Sequence, residues 1–368
     1  MSTTRTVTPT IEERLEGLAR FESALPVVSL YLDARADSHG KDNFQPFVRK
    51  ELAARQRTYP LRSPERKSFD RDVEKIQEYL EKRADRSANG IAIFACSGEG
   101  DFFEPVEIEA SFDENHLSVG NRPDLFHLAR VIGEYPNYAL VLADTTWARI
   151  FVLAHRQRID EKELENANLP RTRGVGLSAM QYQRHVEMHQ KEHARELVET
   201  LARIVDRERI EHIVFAGNVV ILPLIREELP KRLQEKAIDV LHFDKNKPLN
   251  QVLEAAEEML RERDAKTDVE KADRLIGVYR AGGLAVVGPE DVRRALEVGQ
   301  ADELLISATL DRGGETGDQA ASEAASDLVA LAHRTDAAVT FIEDPKLLEP
   351  IDGVGAFLRY KLATPGTG

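Results

Sequence analysis

The chain has one cysteine, Cys96, so no disulfide can form within it. The residue sits in the apolar run GIAIFACS and reads as a small core side chain in a cytosolic protein. No apolar stretch approaches the ~20 residues of a membrane span, and the start, MSTTRTVTPT, has no hydrophobic signal core and reads as a short disordered tail. The expectation is therefore a cytoplasmic protein without a membrane partner. The pattern GxxxxGK[ST] is missing, and Gly174 and Gly176 have neither a third glycine nor a preceding strand in place, so nothing supports nucleotide binding. HExxH and paired cysteines are also missing, and neither a metal nor an organic cofactor is expected. Positive charge is scarce as well: 50 Lys and Arg stand against 64 Asp and Glu, a net charge of −14. That balance argues against nucleic-acid binding by bulk electrostatics.

What is present describes a folded protein of more than one domain: 368 residues, 42% apolar and 31% charged. The basic residues are concentrated. Residues 49–83 hold eleven Lys/Arg against seven Asp/Glu, and residues 171–195 hold five against two, with three histidines. An acidic chain with two basic patches can touch a nucleic acid at selected points, although charged helices facing water give the same pattern.

Along the chain, PVVSLYLDA (26–34) reads as a strand, 44–59 and 64–84 as helices, and GIAIFACS and FFEPVEIEA as two further strands around the turn GEGD. A helix over 124–134 precedes YALVLADTTWARIFVLA (138–154), two apolar strands turning at Asp144-Thr145-Thr146. A turn former needs no catalytic role there. A long helix to about 208, the strand 210–218, a helix and the strand AIDVLHFD then suggest an α/β layer with a mostly parallel sheet. A polar helix over about 250–281 leads to a last α/β unit containing GGLAVVG, DELLISATL and AVTFIED. DRGGETGD, with Gly313 and Gly314, reads as a flexible turn.

The stretch RTRGVGLSAMQYQRH (171–185) stands apart. Gly174 and Gly176 let a loop bring its backbone close to a ligand, and the helix that follows offers unpaired N–H groups to an anion. Arg171, Arg173 and Arg184 suit phosphates, and Tyr182 could stack on a base; the competing reading has the tyrosine packed on the sheet and the arginines solvated. Ser178 completes the loop, and His185, His189 and His193 recur every fourth residue along the helix. Three such histidines spread over about 12 Å, too far for one ion. They are expected to face RNA or water, with Val186, Leu197, Leu201 and Ile204 on the core side.

AGGLAVVGPEDVRRALEVGQADELLIS with the ending IDGVGAFLRY resembles the third domain of archaeal and eukaryotic class-1 release factors and of Pelota. The middle unit is similar to that family's second domain, in which a Gly-Gly-Gln loop precedes a long helix, and VSLYLDA with NGIAIFACSGEG looks like its first. The resemblance, closest to bacterial relatives of the superfamily, implies three domains, α/β and α+β: 1–123 facing the decoding site, 124–265 carrying the glycine loop 171–181, and 266–368. It implies a ribosome partner, with the chain in the A site contacting rRNA. The third domain would meet the stalk base or a translational GTPase, elongation factor Tu or a relative, and the protein is expected to act as a monomer.

The loop departs from the family. Aligned on Gly-Gly-Gln, Leu177 takes the glutamine's place; aligned on Gly-x-Ser-Gln, Ala179 does. Gln181 and Gln183 lie further on, displaced by about 3–6 Å along a helix. A ~1 Å misplacement of a positioning group costs on the order of a hundredfold. Expected, then, is a factor that binds idle or stalled ribosomes, in hibernation or rescue under stress, without cutting peptidyl-tRNA. The alternative is a peptidyl-tRNA hydrolase using Gln181 or Gln183. No counterpart of the family's codon-reading Asn-Ile-Lys-Ser stands in residues 35–66.

Overall fold

The computed structural model describes residues 10–35, 44–85, 87–134, 137–154, 157–165, 179–242, 248–312 and 319–361. The chain divides into two compact units, one formed by Met1–Glu134 with Asp268–Gly368 and the other by Tyr135–Thr267. Among the described residues three sheets hold the strands, in the α/β architecture expected from the sequence.

The first unit holds two of the sheets. In the N-terminal one the order is β3 (Phe102–Ile108), β2 (Gly90–Cys96), β1 (Val27–Asp33), β4 (His116–Gly120), every pairing antiparallel. The central strand β1 is apolar on both faces, as a strand covered from both sides must be. Val28, Leu30 and Leu32 point to α2 (Gln45–Gln56) and α3 (Pro64–Lys82), where they meet Val48, Leu52, Phe69 and Ile76. Burying each such side chain contributes about 1.5–3 kcal/mol. The intervening Ser29 and Tyr31 are equally buried, on the other face. Cys96 is fully buried at the end of β2, a core residue as expected.

That second face packs toward α4 (Phe126–Glu134), which in turn covers the C-terminal sheet: the rings of Phe126 and Phe341 meet edge to face with centroids 5.3 Å apart. This sheet runs β10 (Ala285–Val287), β13 (Val354–Leu358), β11 (Ala301–Ser307), β12 (Ala338–Ile342), with α9 (Pro289–Glu297) and α10 (Gln319–Arg334) packed on it. The segment 124–134, expected to open the middle domain, thus packs within the first unit. Its apolar side, Phe126, Leu128, Ala129 and Val131, is used there. A helix unforeseen from the sequence, α1 (Ile11–Ala19), opens with a capping box in which Thr10 and Glu13 bond each other's backbone N–H, and it packs on α10.

In the second unit five strands are ordered β7 (Gln157–Glu165), β6 (Trp147–Ala154), β5 (Tyr138–Ala143), β8 (His212–Gly217), β9 (Ala237–His242). The hairpin β5–β6 turns at Asp144 as expected. The sheet is mixed rather than mostly parallel: β5, β8 and β9 pair in parallel, while β6 and β7 add an antiparallel arm. The polar sequence of β7, QRIDEKELE, hides that arm from any search for apolar runs. One face is covered by α5 (Ala179–Arg207), α6 (Ile221–Glu228) and α7 (Lys231–Gln234), the other by Val252, Ala256 and Leu260 of α8 (Leu249–Arg280). At its far end α8 supplies Ala272 and Leu275 to the core of the C-terminal sheet.

Candidate functional site

The long helix α5 changes character along its length. From Ala194 onward its inward residues, Leu197, Val198, Leu201, Ile204 and Val205, are buried against the sheet. Before that point Gln183, Arg184, His185, Glu187, Met188, Lys191 and Glu192 are all exposed and Val186, His189 and Gln190 only partly covered. The first described turns therefore present side chains around most of the helix circumference. Arg171, Arg173, Gly174, Gly176, Leu177 and Ser178 lie outside the described residues, as do Gly313 and Gly314. Ala179, Gln181 and Tyr182 are placed as helical backbone. Both glutamines of the alternative reading are thus within α5, and Gln183 directs its amide to Glu187 Oε1 at 3.5 Å, one turn on.

The histidine stripe does not stay on one face. His185 is exposed and stacks near His189, ring centroids 4.4 Å apart, while His189 Nδ1 lies 3.2 Å from Glu192 Oε2. His193 is only 2% exposed. Burial depresses its pKa, against smaller upward effects of the Trp147 backbone and Glu196. The reason is the helical repeat: every four residues advance the stripe by about 40°, so two steps carry it from water into the core. Of the three, His185 is exposed, while His189 is largely covered and paired with Glu192.

At the β5–β6 turn, Asp144 Oδ1 accepts from Thr145 N at 2.5 Å and from Asn218 Nδ2 at 2.7 Å. Asn218 Oδ1 in turn accepts from Val220 N and Ile221 N at 3.0 Å, the entry to α6. Asp144 is a turn former, as the sequence suggested, and ties the ends of β5 and β8 together.

A second polar constellation, in the first unit, was not foreseen. His116 on β4, Asp124 in the connection to α4 and His127 on α4 bring donor atoms within 4.8 Å of one another. His116 Nε2 is 3.6 Å from Asp124 Oδ2, and His127 Nε2 is 3.6 Å from Asp311 Oδ2 on the turn Leu310–Arg312. The imidazole rings stand 4.5 Å apart. Tyr31, fully buried beneath them, donates its hydroxyl to the Asp124 carbonyl, and Asp124 N donates to Ser29 Oγ at 2.9 Å. Burial alone would lower the His116 pKa, but the Asp124 carboxylate and the charges of Asp311 and Glu114 leave it raised. Burial likewise pushes Asp124 up, and the two histidines with Ser326 pull it below the usual carboxylate range. His116, Asp124 and His127 lie within twelve residues but on a strand, a connection and a helix, and Asp311 comes from far along the chain, so no single-element periodicity signals the group.

Comparison with known proteins agrees with the resemblance carried by the sequence motifs. Residues 123–261 match the bacterial archaeo-eukaryotic release factor family 10, and residues 264–362 match eRF1 domain 3. The chain is 24% identical over 414 aligned positions to peptide chain release factor subunit 1 of Thermococcus onnurineus, covering 96% of this chain and 97% of that protein. It is 27% identical over 187 positions to the Pyrococcus abyssi protein of the same description, covering 48% and 44% respectively, less than half of that relative's length. A structure of ribosome-bound archaeal Pelota with ABCE1 superposes with a TM-score of 0.44 and 15% identity, over 96% of this chain and 95% of that one. Two adjoining segments thus match release-factor families, in the order in which the release factors carry them, and support a protein similar to the bacterial archaeo-eukaryotic release factors and Pelota.

Proposed function

We propose that this protein is a ribosome-binding translation factor that occupies the A site of idle or stalled 70S ribosomes, in hibernation or rescue, without hydrolysing peptidyl-tRNA. One observation carries the reading. The family 10 segment encloses the loop 171–181, yet Leu177 or Ala179 stands where the superfamily's hydrolases place glutamine. Neither side chain can polarise a water or a developing oxyanion, and removing one such polar group costs about 10²–10³ in rate. Within α5, Gln183 is turned to Glu187.

The exposed start of α5 supports a binding role. Arg184, His185 and Lys191 are exposed, close in sequence to Arg171 and Arg173, a local positive region on an acidic protein. Such a distribution suits a few phosphate contacts on rRNA rather than coating of nucleic acid. In this reading the N-terminal sheet and its helices face the decoding site, the segment after α4 carries the loop inward, and 266–368 meet the stalk base or a translational GTPase such as elongation factor Tu. The protein acts in the cytoplasm as a monomer. Among the described residues no helix is long and apolar enough to cross a membrane.

The test is peptide release from ribosomes stalled with labelled peptidyl-tRNA. The account expects no release above background by the wild-type chain. Release that disappears in the Gln181→Ala/Gln183→Ala variant would instead establish a hydrolase working from a shifted register.

A further inference from the structure

We propose that His116, Asp124 and His127, with Asp311 beside them, form a zinc-binding site that fastens the N-terminal sheet, α4 and the C-terminal sheet of the first unit together. The geometry carries this reading. Both histidine–carboxylate distances are 3.6 Å, longer than a hydrogen bond between these groups, which would close to about 2.7–3.0 Å. They approach the ~3.3 Å edge of a tetrahedron with metal–ligand bonds near 2.0–2.1 Å. His116 Nε2 is buried and takes no hydrogen bond. The donor atoms of the His116–Asp124–His127 set all lie within 4.8 Å of one another, and side-chain movement of about 1.5 Å or less brings them to that edge.

Charge points the same way. The Asp124 and Asp311 side chains, 5% and 8% exposed, bring two carboxylates to the two imidazoles, and a divalent cation bound there would share their charge. Two nitrogens and two carboxylate oxygens are a donor set for zinc, whereas magnesium and calcium call for six or more oxygens. The support around the ligands is also in place. Phe126 N donates to Asp124 Oδ1 at 3.2 Å, leaving Oδ2 toward the histidines, and the Tyr31 hydroxyl and Ser29 fix the backbone at Asp124. Such outer partners orient ligands in metal sites. A small pocket beside His127 is lined also by Phe112, Asp113, Glu114, Arg130, Val131 and Glu134, three of these six acidic.

The test uses the full chain without added histidines, stripped with chelator and titrated with zinc by calorimetry and with cobalt(II) by visible absorption. The expected result is one ion per chain, a tetrahedral cobalt spectrum and a higher Tm with zinc. His116→Gln and His127→Gln should each weaken binding by about tenfold or more, while His185→Gln/His189→Gln leaves it unchanged. No binding at micromolar zinc would overturn the proposal, and so would binding that survives the first two changes and is lost in the third. Should the first two variants fail to fold, the wild-type spectrum decides: an octahedral or absent signal rejects the site.

Discussion

Arg130 holds Glu343 by two parallel hydrogen bonds, Nη2 to Oε2 at 2.9 Å and Nε to Oε1 at 3.2 Å, and reaches Asp113 Oδ2 at 2.8 Å with its third nitrogen. One guanidinium thus joins α4 to the end of β12 and to the loop before β4. Bidentate, partly buried pairs of this kind exceed ordinary surface ion pairs in strength. Arg130→Ala should lower the stability of the first unit by about 1–3 kcal/mol, and a double-mutant cycle with Glu343→Gln should return a coupling of roughly 0.5–1.5 kcal/mol. Chemical denaturation of the four variants checks both values. Strict additivity would mean that the pair does not contribute.

A tighter constraint lies where β5 and β8 run side by side. A Cβ added at Gly217 would meet the carbonyl oxygen of Ala143 at 2.4 Å. Backbone of a central parallel pair cannot give way as a flexible side chain does, so Gly217→Ala should cost more than about 2 kcal/mol. Its urea midpoint should fall accordingly, and an unchanged midpoint would show that the strands separate more freely than this packing implies.

The second unit also has a built-in sensitivity to acid. Burial first, then the positive charges of Arg263 and Lys236, depress the pKa of His212 to about 4. Between that value and the ~6.5 of an unfolded histidine, the unfolded chain binds the extra proton, so stability falls as pH drops through this window. The decrease is on the order of 1–2 kcal/mol once the partly solvated ring is allowed for. His212→Gln should flatten the dependence of unfolding free energy on pH between 6.5 and 4, measured by denaturation at a series of pH values; an unaltered slope would exclude His212 as the source.

The proposed interface with rRNA makes a separate prediction. Reversing Arg171, Arg173 and Arg184 to Glu should weaken ribosome binding and lower its salt dependence by roughly one unit of log–log slope for each phosphate that an arginine no longer neutralises. Equal binding across a salt series would move the interface elsewhere on the chain.

Much of this architecture can be read from local pattern. The run VVSLYLD is a strand buried on both faces, YALVLADTTWARIFVLA is a hairpin, and the helices 44–59 and 64–84 fall close to α2 and α3. The features that local pattern does not reveal are hidden for physical reasons. The strand β7 is polar because it is the outer strand of the sheet, where apolar runs are not required. The start of α1 is encoded by Thr10 and Glu13, three residues apart, but the helix carries only a short apolar stripe. His193 leaves the expected exposed face because spacing of four drifts against a 3.6-residue turn. The His116–Asp124–His127 cluster spans only twelve residues, but it closes through the packing of α4 on β4, which no helical or strand periodicity reports. The chemistry of the glycine loop, in contrast, is legible only in the sequence, as the leucine and alanine at positions 177 and 179.

The measurement closest to the central claim is co-sedimentation of the purified chain with 70S ribosomes, vacant or with the A site filled by tRNA. The account predicts binding to vacant ribosomes that A-site tRNA abolishes. Binding that persists with the A site filled, or no binding in either state with a translational GTPase supplied, would contradict it.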